Sequence, residues 1–283
     1  MTDGLKEHLN YDTDTVAGFG DEWVQFDQQE LSLKDAENSF NNYFSIFPWD
    51  HLDKTSIGFD LGCGSGRWAR LVAPRVGTLH CIDPSKALVV ARKNLETFSN
   101  CFFHSCGVGN LDIPNKSMDF GYSLGVLHHV PDTAKAIRDC VSKLKPGAPF
   151  LIYLYYNFDN RPFWFRCLWG VSNLLRILIS RFSFRWRYWT SQVIACFIYF
   201  PLAKIALFFE LLGGRVDNFP LSAYRNAGFY VMRTDALDRF GTRLEQRFSK
   251  DEILKMMTNA GLVNILFSDK VPYWCAVGYA KSE

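Results

Sequence analysis

The residues with the most chemistry in them lie at 57–69 and read IGFDLGCGSGRWA. An apolar strand over Ile57–Leu61 runs into a glycine-rich turn, Gly62-Cys63-Gly64-Ser65-Gly66, and a helix-like run over residues 67–72 follows. In α/β folds this arrangement takes nucleotides. Glycines let the backbone approach a ligand closely, and the start of a helix offers N–H groups to a carboxylate or phosphate. Two carboxylates flank the turn. Asp60 sits in the strand end. Asp83, followed by Pro84, ends the next apolar stretch, at about the separation at which an acid takes a ribose diol. Further along, Ser123-Leu124-Gly125-Val126-Leu127-His128-His129-Val130 places two imidazoles after another apolar stretch. Imidazoles titrate near neutrality, so His129, and after it His128, are candidate general bases. No cluster of His, Cys and carboxylates has metal-ligand spacing, so no metal is expected.

A dinucleotide fingerprint reads G-x-G-x-x-G. Here the third glycine comes one residue early, and Arg67 stands where that glycine would let the helix pack close. The DLGCGSG turn with IDPS downstream instead resembles the class I S-adenosylmethionine-dependent methyltransferases, of the type 11 kind that acts on small molecules and lipids. The resemblance runs over residues 54–156 and resumes over residues 249–281. It implies S-adenosyl-L-methionine as cofactor, with the backbone of Gly62, Cys63, Gly64 and Gly66 facing its methionine and ribose. Asp60 is then expected to orient the turn or to take the methionine ammonium. Asp83, beside Pro84, is expected to accept the ribose hydroxyls, and Leu124 with Gly125 to line the sulfonium. Arg67 stays open between pairing the methionine carboxylate and being an exposed helix residue. Such relatives usually carry an Asp at the end of the third strand for the adenine amine. The register from Ser117-Met118-Asp119 puts Gly107 in that place, which leaves the backbone N–H of Val108, or some other side chain, to meet the adenine. In relatives with a V-L-H-H-V run the histidines mainly support helix and loop, so that role stands beside the catalytic one.

To position these groups the chain must alternate strand and helix. Apolar stretches at Ile57–Leu61, Thr78–Ile82, residues 102–104, 119–125 and 149–156 read as strands. Helices are expected over residues 67–73, 85–94 and 132–144, the last stopped by Lys145-Pro146-Gly147. A further helix over residues 31–47 precedes them, ending at Pro48, and residues 1–30 read as polar with isolated aromatics. Ser249, with Glu252 three residues on, forms a capping-box signature for a helix to Ala260, and strands over residues 263–267 and 274–279 follow. Alternation of this kind argues a doubly wound sheet. The resemblance adds that the last two strands run antiparallel to their neighbours in a seven-stranded mixed sheet.

Residues 157–230 interrupt the fold between the fifth strand and the closing helix, far longer than an ordinary loop. Aromatic residues such as Phe163, Trp164, Trp169, Trp186 and Trp189 are interleaved there with Arg161, Arg166, Arg176, Arg181, Arg185 and Arg187. An apolar run over residues 193–212 follows, and the acids up to Arg215 are Asp159 and Glu210. The uncharged stretch over residues 190–203 is short for a membrane span and is interrupted by Pro201. A basic, aromatic, amphipathic pair of helices fits an anionic membrane surface, and fits a hydrophobic lid over an acceptor site or a face of a homo-oligomer. The segment is too apolar for a nucleic-acid groove. Beyond it Tyr224 and Tyr230, in a polar and aromatic stretch with one helix over residues 236–240, are further candidates for a base.

Composition sets the outer limits. The 283 residues suit one large or two modest domains, and a net charge of +2 argues against a general nucleic-acid binder. Eight scattered cysteines with no C-x-x-C read as thiols of a reducing compartment, and the polar N-terminus does not read as a signal peptide.

The sequence therefore leads to an α/β fold with a doubly wound seven-stranded mixed sheet, the Rossmann-like methyltransferase fold, carrying a largely helical inserted lid. Its expected parts are an N-terminal helical or lid segment (1–48), a cofactor-binding core (49–156), the aromatic and basic helical insertion, a lid or membrane-surface element (157–235), and the C-terminal part of the core (236–283). The expected activity is S-adenosylmethionine-dependent methylation of a small, lipophilic or lipid-linked acceptor. An O-methyltransferase of a surface-glycan sugar and a non-catalytic cofactor-binding regulator are the alternatives. The expected location is the cytoplasm, with the membrane's inner face open as a peripheral site.

Overall fold

The computed structural model describes residues 10–282. Seven strands form one sheet in the order β3-β2-β1-β4-β5-β7-β6. They are β1 (Ile57–Leu61), β2 (Thr78–Ile82), β3 (Cys101–His104), β4 (Phe120–Leu124), β5 (Pro149–Tyr153), β6 (Leu262–Phe267) and β7 (Cys275–Ala280). Strands β1 to β5 pair in parallel, and β7 runs antiparallel to both β5 and β6. The expected mixed, doubly wound sheet is therefore present. The order reverses at β1, with β2 on one side and β4 on the other, and ligands of open α/β sheets bind at such a switch point.

By contacts the described residues divide into two compact units: one of residues 10–24, 37–157 and 244–282, the other of residues 25–36 and 158–243. The first holds the sheet. Its central strands are buried on both faces, which is why they read as apolar runs. At the centre of the sheet glycine and aromatic residues interlock. Gly58 pairs with Phe120 and Phe59 with Gly121 across β1 and β4, and each ring lies over the opposite glycine. A Cβ at Gly58 would meet the Phe120 ring at 2.3 Å, and one at Gly121 would meet the Phe59 ring at 2.3 Å.

The helices of this unit follow the sequence signals, with shorter bounds. They are α3 (Ala69–Val72), α4 (Ala87–Asn94), α5 (Thr133–Val141) and α10 (Lys250–Asn259). Asp132 caps α5 by accepting the Lys135 N–H, and Ser249 with Glu252 forms the expected capping box on α10. Before them come α1 (Thr13–Gln25) and α2 (Leu33–Tyr43). The first of these was unexpected. Asp12 caps it through the Thr15 N–H, and its Phe19 and Trp23 stand four residues apart, on one face.

The second unit is helical: α6 (Phe163–Ile179), α7 (Phe184–Ile194), α8 (Phe200–Leu211) and α9 (Phe229–Gly241). A π-helical turn over Ala195–Tyr199 joins α7 to α8 without a break. The expected interruption at Pro201 does not occur. A proline ring crowds the carbonyl four residues before it, and the wider π turn takes up that clash. The outcome is a continuous helix over Phe184–Leu211, 28 residues long and apolar enough to cross a membrane by length and composition. The helix expected over residues 236–240 is the C-terminal part of α9. The unit's core is Ile179, Ala195, Tyr199, Ala203, Met232, Ala236 and Phe240. Arg176 is buried beside it and donates to the carbonyls of Thr242 and Arg243 and to Asn173.

Candidate functional site

The glycine turn leaves β1 with Gly62, Gly64 and Gly66 all at positive φ (75°, 53° and 81°), a run that residues with a Cβ rarely adopt. Its N–H groups point differently from expectation. Those of Gly62 and Cys63 donate to the Ile82 carbonyl (2.7 and 3.0 Å), that of Gly64 to Asp83 Oδ2 (2.9 Å) and that of Gly66 to the Cys63 carbonyl (2.8 Å). The turn is thus braced onto the end of β2. Helix α3 begins later than expected, at Ala69, and is a single short turn.

Asp83 is the main brace. Besides Gly64 it accepts from Ser85 N–H (2.8 Å) and Ser85 Oγ (2.6 Å), and it is buried next to Pro84. A carboxylate has about four acceptor positions, and these contacts fill three. Burial raises the Asp83 pKa, while the bonds from Ser85 and Gly64 oppose that rise.

Asp60 is different. It is 1% exposed and its Oδ2 has no close hydrogen-bond partner; burial pushes its carboxyl up to about 8, the Tyr122 hydroxyl beside it opposing that rise and the nearby Asp83 charge adding to it. A buried carboxylate oxygen without a donor is costly and suits an incoming cationic donor. The α-ammonium of S-adenosylmethionine is such a group, so the residues present fit this cofactor. Ser65 Oγ, buried and likewise without a partner, adds a second polar group in the same turn.

Helix α1 meets the turn in a way the sequence reading missed. A Cβ on Gly64 would lie 3.0 Å from Trp23 Nε1, so the indole sits directly on that glycine. The Arg67 guanidinium lies over the rings of Trp68 (4.2 Å) and Trp23 (5.9 Å). Asp21 forms an ion pair with Lys86, which also packs on Gly20. The available signal was the helical spacing of Phe19 and Trp23 behind the Asp12 cap.

On the adenine side, Gly107 and Val108 are buried, and Asn110 N–H closes a tight turn onto the Gly107 carbonyl (3.1 Å). Asp112, which acts electrostatically on His104 and Cys106, is an acid of this stretch that the sequence reading passed over.

At the end of β4, Leu124 is buried and Gly125 takes φ +78°, with nothing within 4 Å of a would-be Cβ. His128 and His129 follow in a tight turn, both buried. His129 Nδ1 lies 2.7 Å from the Leu244 carbonyl, so Nδ1 carries the proton and the lone pair is on Nε2. Its ring packs on Phe19 of α1 (4.9 Å) and Tyr155 (5.6 Å). His128 stacks on Tyr155 at 3.8 Å, and neither of its ring nitrogens has a hydrogen-bond partner. Burial, then the His129 and Arg247 charges, holds it well below the usual imidazole range, so it is neutral.

The two tyrosines belong to the helical unit. Tyr224 packs on Tyr199 (5.4 Å), and Tyr230 accepts the Gln28 N–H (3.0 Å) and meets Phe26 edge-on. Among the described residues no group of His, Cys, Asp and Glu could hold a metal ion.

The comparisons with known proteins agree with this geometry. Residues 59–152 match the family model described as "Methyltransferase domain". The ubiquinone biosynthesis O-methyltransferase of Alkalilimnicola ehrlichii is 35% identical over 122 residues, which is 42% of this chain and 49% of that protein. The phosphoethanolamine N-methyltransferase 2 of Caenorhabditis elegans is 32% identical over 100 residues, 34% of this chain and 23% of that protein. The chain therefore spans about half or less of the length of these curated relatives. In fold it is similar to a chain of the Haloferax volcanii complex between the Trm112 methyltransferase activator and a methyltransferase (TM-score 0.54, 14% identity, 93% of this chain and 98% of that one). Residues 59–152 are thus a methyltransferase domain, set in a chain with the fold of the class I S-adenosylmethionine-dependent methyltransferases. S-adenosylmethionine is the cofactor of this domain.

Proposed function

We propose that this protein transfers a methyl group from S-adenosylmethionine to a small, lipophilic or lipid-linked acceptor, and that the acceptor atom is a hydroxyl oxygen. When bound, the cofactor supplies an activated methyl on its sulfonium. The chain has to hold it, align an acceptor lone pair in line with the S–CH₃ bond, and handle one proton. Asp60 would take the ammonium, Asp83 the ribose, and the turn after β4 would face the reacting end.

The observation that carries the hydroxyl reading is the His129 tautomer. With Nδ1 donating to Leu244, Nε2 is left as the basic nitrogen. A hydroxyl, the least acidic of the common acceptors, depends on such a group most. The lipophilic part of the reading is supported by the apolar helices of the second unit. A matching relative is named for ubiquinone biosynthesis, whose product is lipophilic, which also supports it.

The test is to incubate the protein with methyl-labelled cofactor and a cell extract split into organic and aqueous phases, then to find what gains the label. Label in an organic-phase hydroxyl compound is the expected result. Label confined to water-soluble amines would overturn the acceptor reading, and no transfer at all would leave a cofactor-binding protein without turnover.

A further inference from the structure

Two helices of the second unit keep one flank each out of its core. On α6, Trp164, Leu168, Val171, Leu175 and Leu178 are exposed and recur at steps of four and three residues, so they form one stripe. Its other flank, with Arg176 and Ile179, is buried. On the helix over Phe184–Leu211, Trp186, Trp189, Val193 and Phe197 repeat the pattern, and Phe208 and Leu211 carry it past the π turn. Apolar surface on this scale marks an interaction site rather than ordinary exposure.

The charge beside these stripes is mostly positive. Arg166, Arg181, Arg185, Lys204 and Arg215 are exposed. Of the two acids in the same stretch, Glu210 is held by Arg225 through two bonds (2.7 and 2.8 Å). Arg187 does not join this set, because it donates to the Gly241 carbonyl (2.8 Å) and is a structural residue.

We propose that this surface docks on an anionic lipid bilayer, with the helices lying in the plane of the interface. Tryptophan is at home at the headgroup level, arginine pairs with anionic headgroups, and apolar side chains such as Leu175 and Phe197 enter the acyl boundary. A second copy of the chain fits less well. A two-fold contact sets a patch against itself and would bring these cations together. Crossing the bilayer fits less well too. Ala195, Tyr199 and Ala203 are packed against Met232, Ala236 and Phe240, and Glu210 ties the helix end to Arg225, so a spanning helix would have to abandon the unit's core.

The whole chain should float with vesicles of phosphatidylcholine containing phosphatidylglycerol, and not with phosphatidylcholine alone. Salt should release it, since the charged part of the attraction is screened. Arg181→Glu with Arg185→Glu should weaken flotation by at least about tenfold, each interfacial arginine being worth roughly fivefold. Trp186→Ala with Trp189→Ala should weaken it on the same vesicles. Arg181→Lys with Arg185→Lys should float as the wild type does, which separates charge from folding. S-adenosylhomocysteine binding should be unchanged in every variant, so this proposal can fail while the cofactor reading stands. Three results would overturn it: no flotation at low salt, a dimer that light scattering shows to depend on Trp186 and Trp189, or resistance to alkaline extraction from vesicles.

Discussion

The two units of this chain treat their polar and apolar groups in opposite ways. In the sheet unit the polar groups are drawn inward and set to work: Asp60, Asp83, His128 and His129 are all buried, and the glycine turn satisfies its own N–H groups. In the helical unit the apolar groups are turned outward, and most of the large exposed apolar side chains of the described residues lie there. Burying ionisable groups costs stability that only function explains, and exposing tryptophan and leucine costs solubility that only a partner explains. The first unit is built for a small polar ligand and chemistry. The second, on our proposal, meets an apolar phase.

The sharpest way to break that contrast is to remove the group assigned to proton transfer. If His129 is the base for a hydroxyl acceptor, His129→Ala should lower kcat by about 10²–10⁴ with S-adenosylhomocysteine affinity unchanged. Steady-state kinetics and calorimetry on the same preparation check this. A rate near wild type would return His129 to a purely structural role, holding Leu244 and packing on Phe19.

A second test concerns tolerance. Gly58 faces the Phe120 ring so closely that an added Cβ would stand 2.3 Å from it, and Phe120 is fully buried in the centre of the sheet. Gly58→Ala should therefore destabilise the sheet unit by about 1–3 kcal/mol, the range for overpacking a filled core. Denaturant midpoints measure it, and a neutral result would show that the sheet can shift where its packing says it cannot.

Much of the sheet unit was legible in the sequence, and the reasons are local. Gly62, Gly64 and Gly66 announce themselves because few other residues hold such a backbone, and Ser249 with Glu252 is a cap with a mechanism. The alternation of buried strand and helix argued a doubly wound sheet, and the resemblance implied its antiparallel ending, but neither fixed the strand order. The function of the turn's N–H groups was not legible. Whether they face a ligand or Ile82 and Asp83 depends on how β2 lies beside β1, which spacing does not encode. Helix α1 was missed because its Gly18 and Gly20 lower helical propensity, and packing of Gly20 on Lys86 and of Trp23 on Gly64 overrides that. Pro201 was read as a break because a proline in an ordinary helix is one, and only the backbone shows the π turn that admits it.

The buried acids make the first unit sensitive to pH. Asp60 has its carboxyl pushed up to about 8 by burial, so it is largely protonated at neutral pH in the free protein. Taking up the cofactor's ammonium favours the ionised form, so binding releases a proton. The sign follows: affinity rises with pH up to about 8 and falls as the solution becomes more acidic, by at most about tenfold per pH unit. Calorimetry of S-adenosylhomocysteine across pH, in buffers of different ionisation enthalpy, measures both the slope and the proton. Asp60→Asn should flatten the dependence. A flat profile in the wild type would mean that Asp60 does not meet the ammonium.

The smallest expected effect has the opposite sign to the Gly58 result and falls in the other unit. Gly170 lies in the interior of α6, and a Cβ there would have no atom within 4 Å. Glycine in a helix interior loses more backbone entropy on folding than alanine does. Gly170→Ala should therefore stabilise the helical unit by roughly 0.5–1 kcal/mol. The same substitution is then harmful in the sheet and helpful in the insertion, because one glycine is there to admit a ring and the other lies in open space. Thermal unfolding followed by far-ultraviolet circular dichroism reads the helical unit directly. If Gly170→Ala lowers the transition instead, α6 must be packed against something at that position. Gly170 lies about 120° around the helix from the stripe of Leu168, Val171 and Leu175, so that result would mark a second, covered face of α6 and leave the stripe to the flotation test.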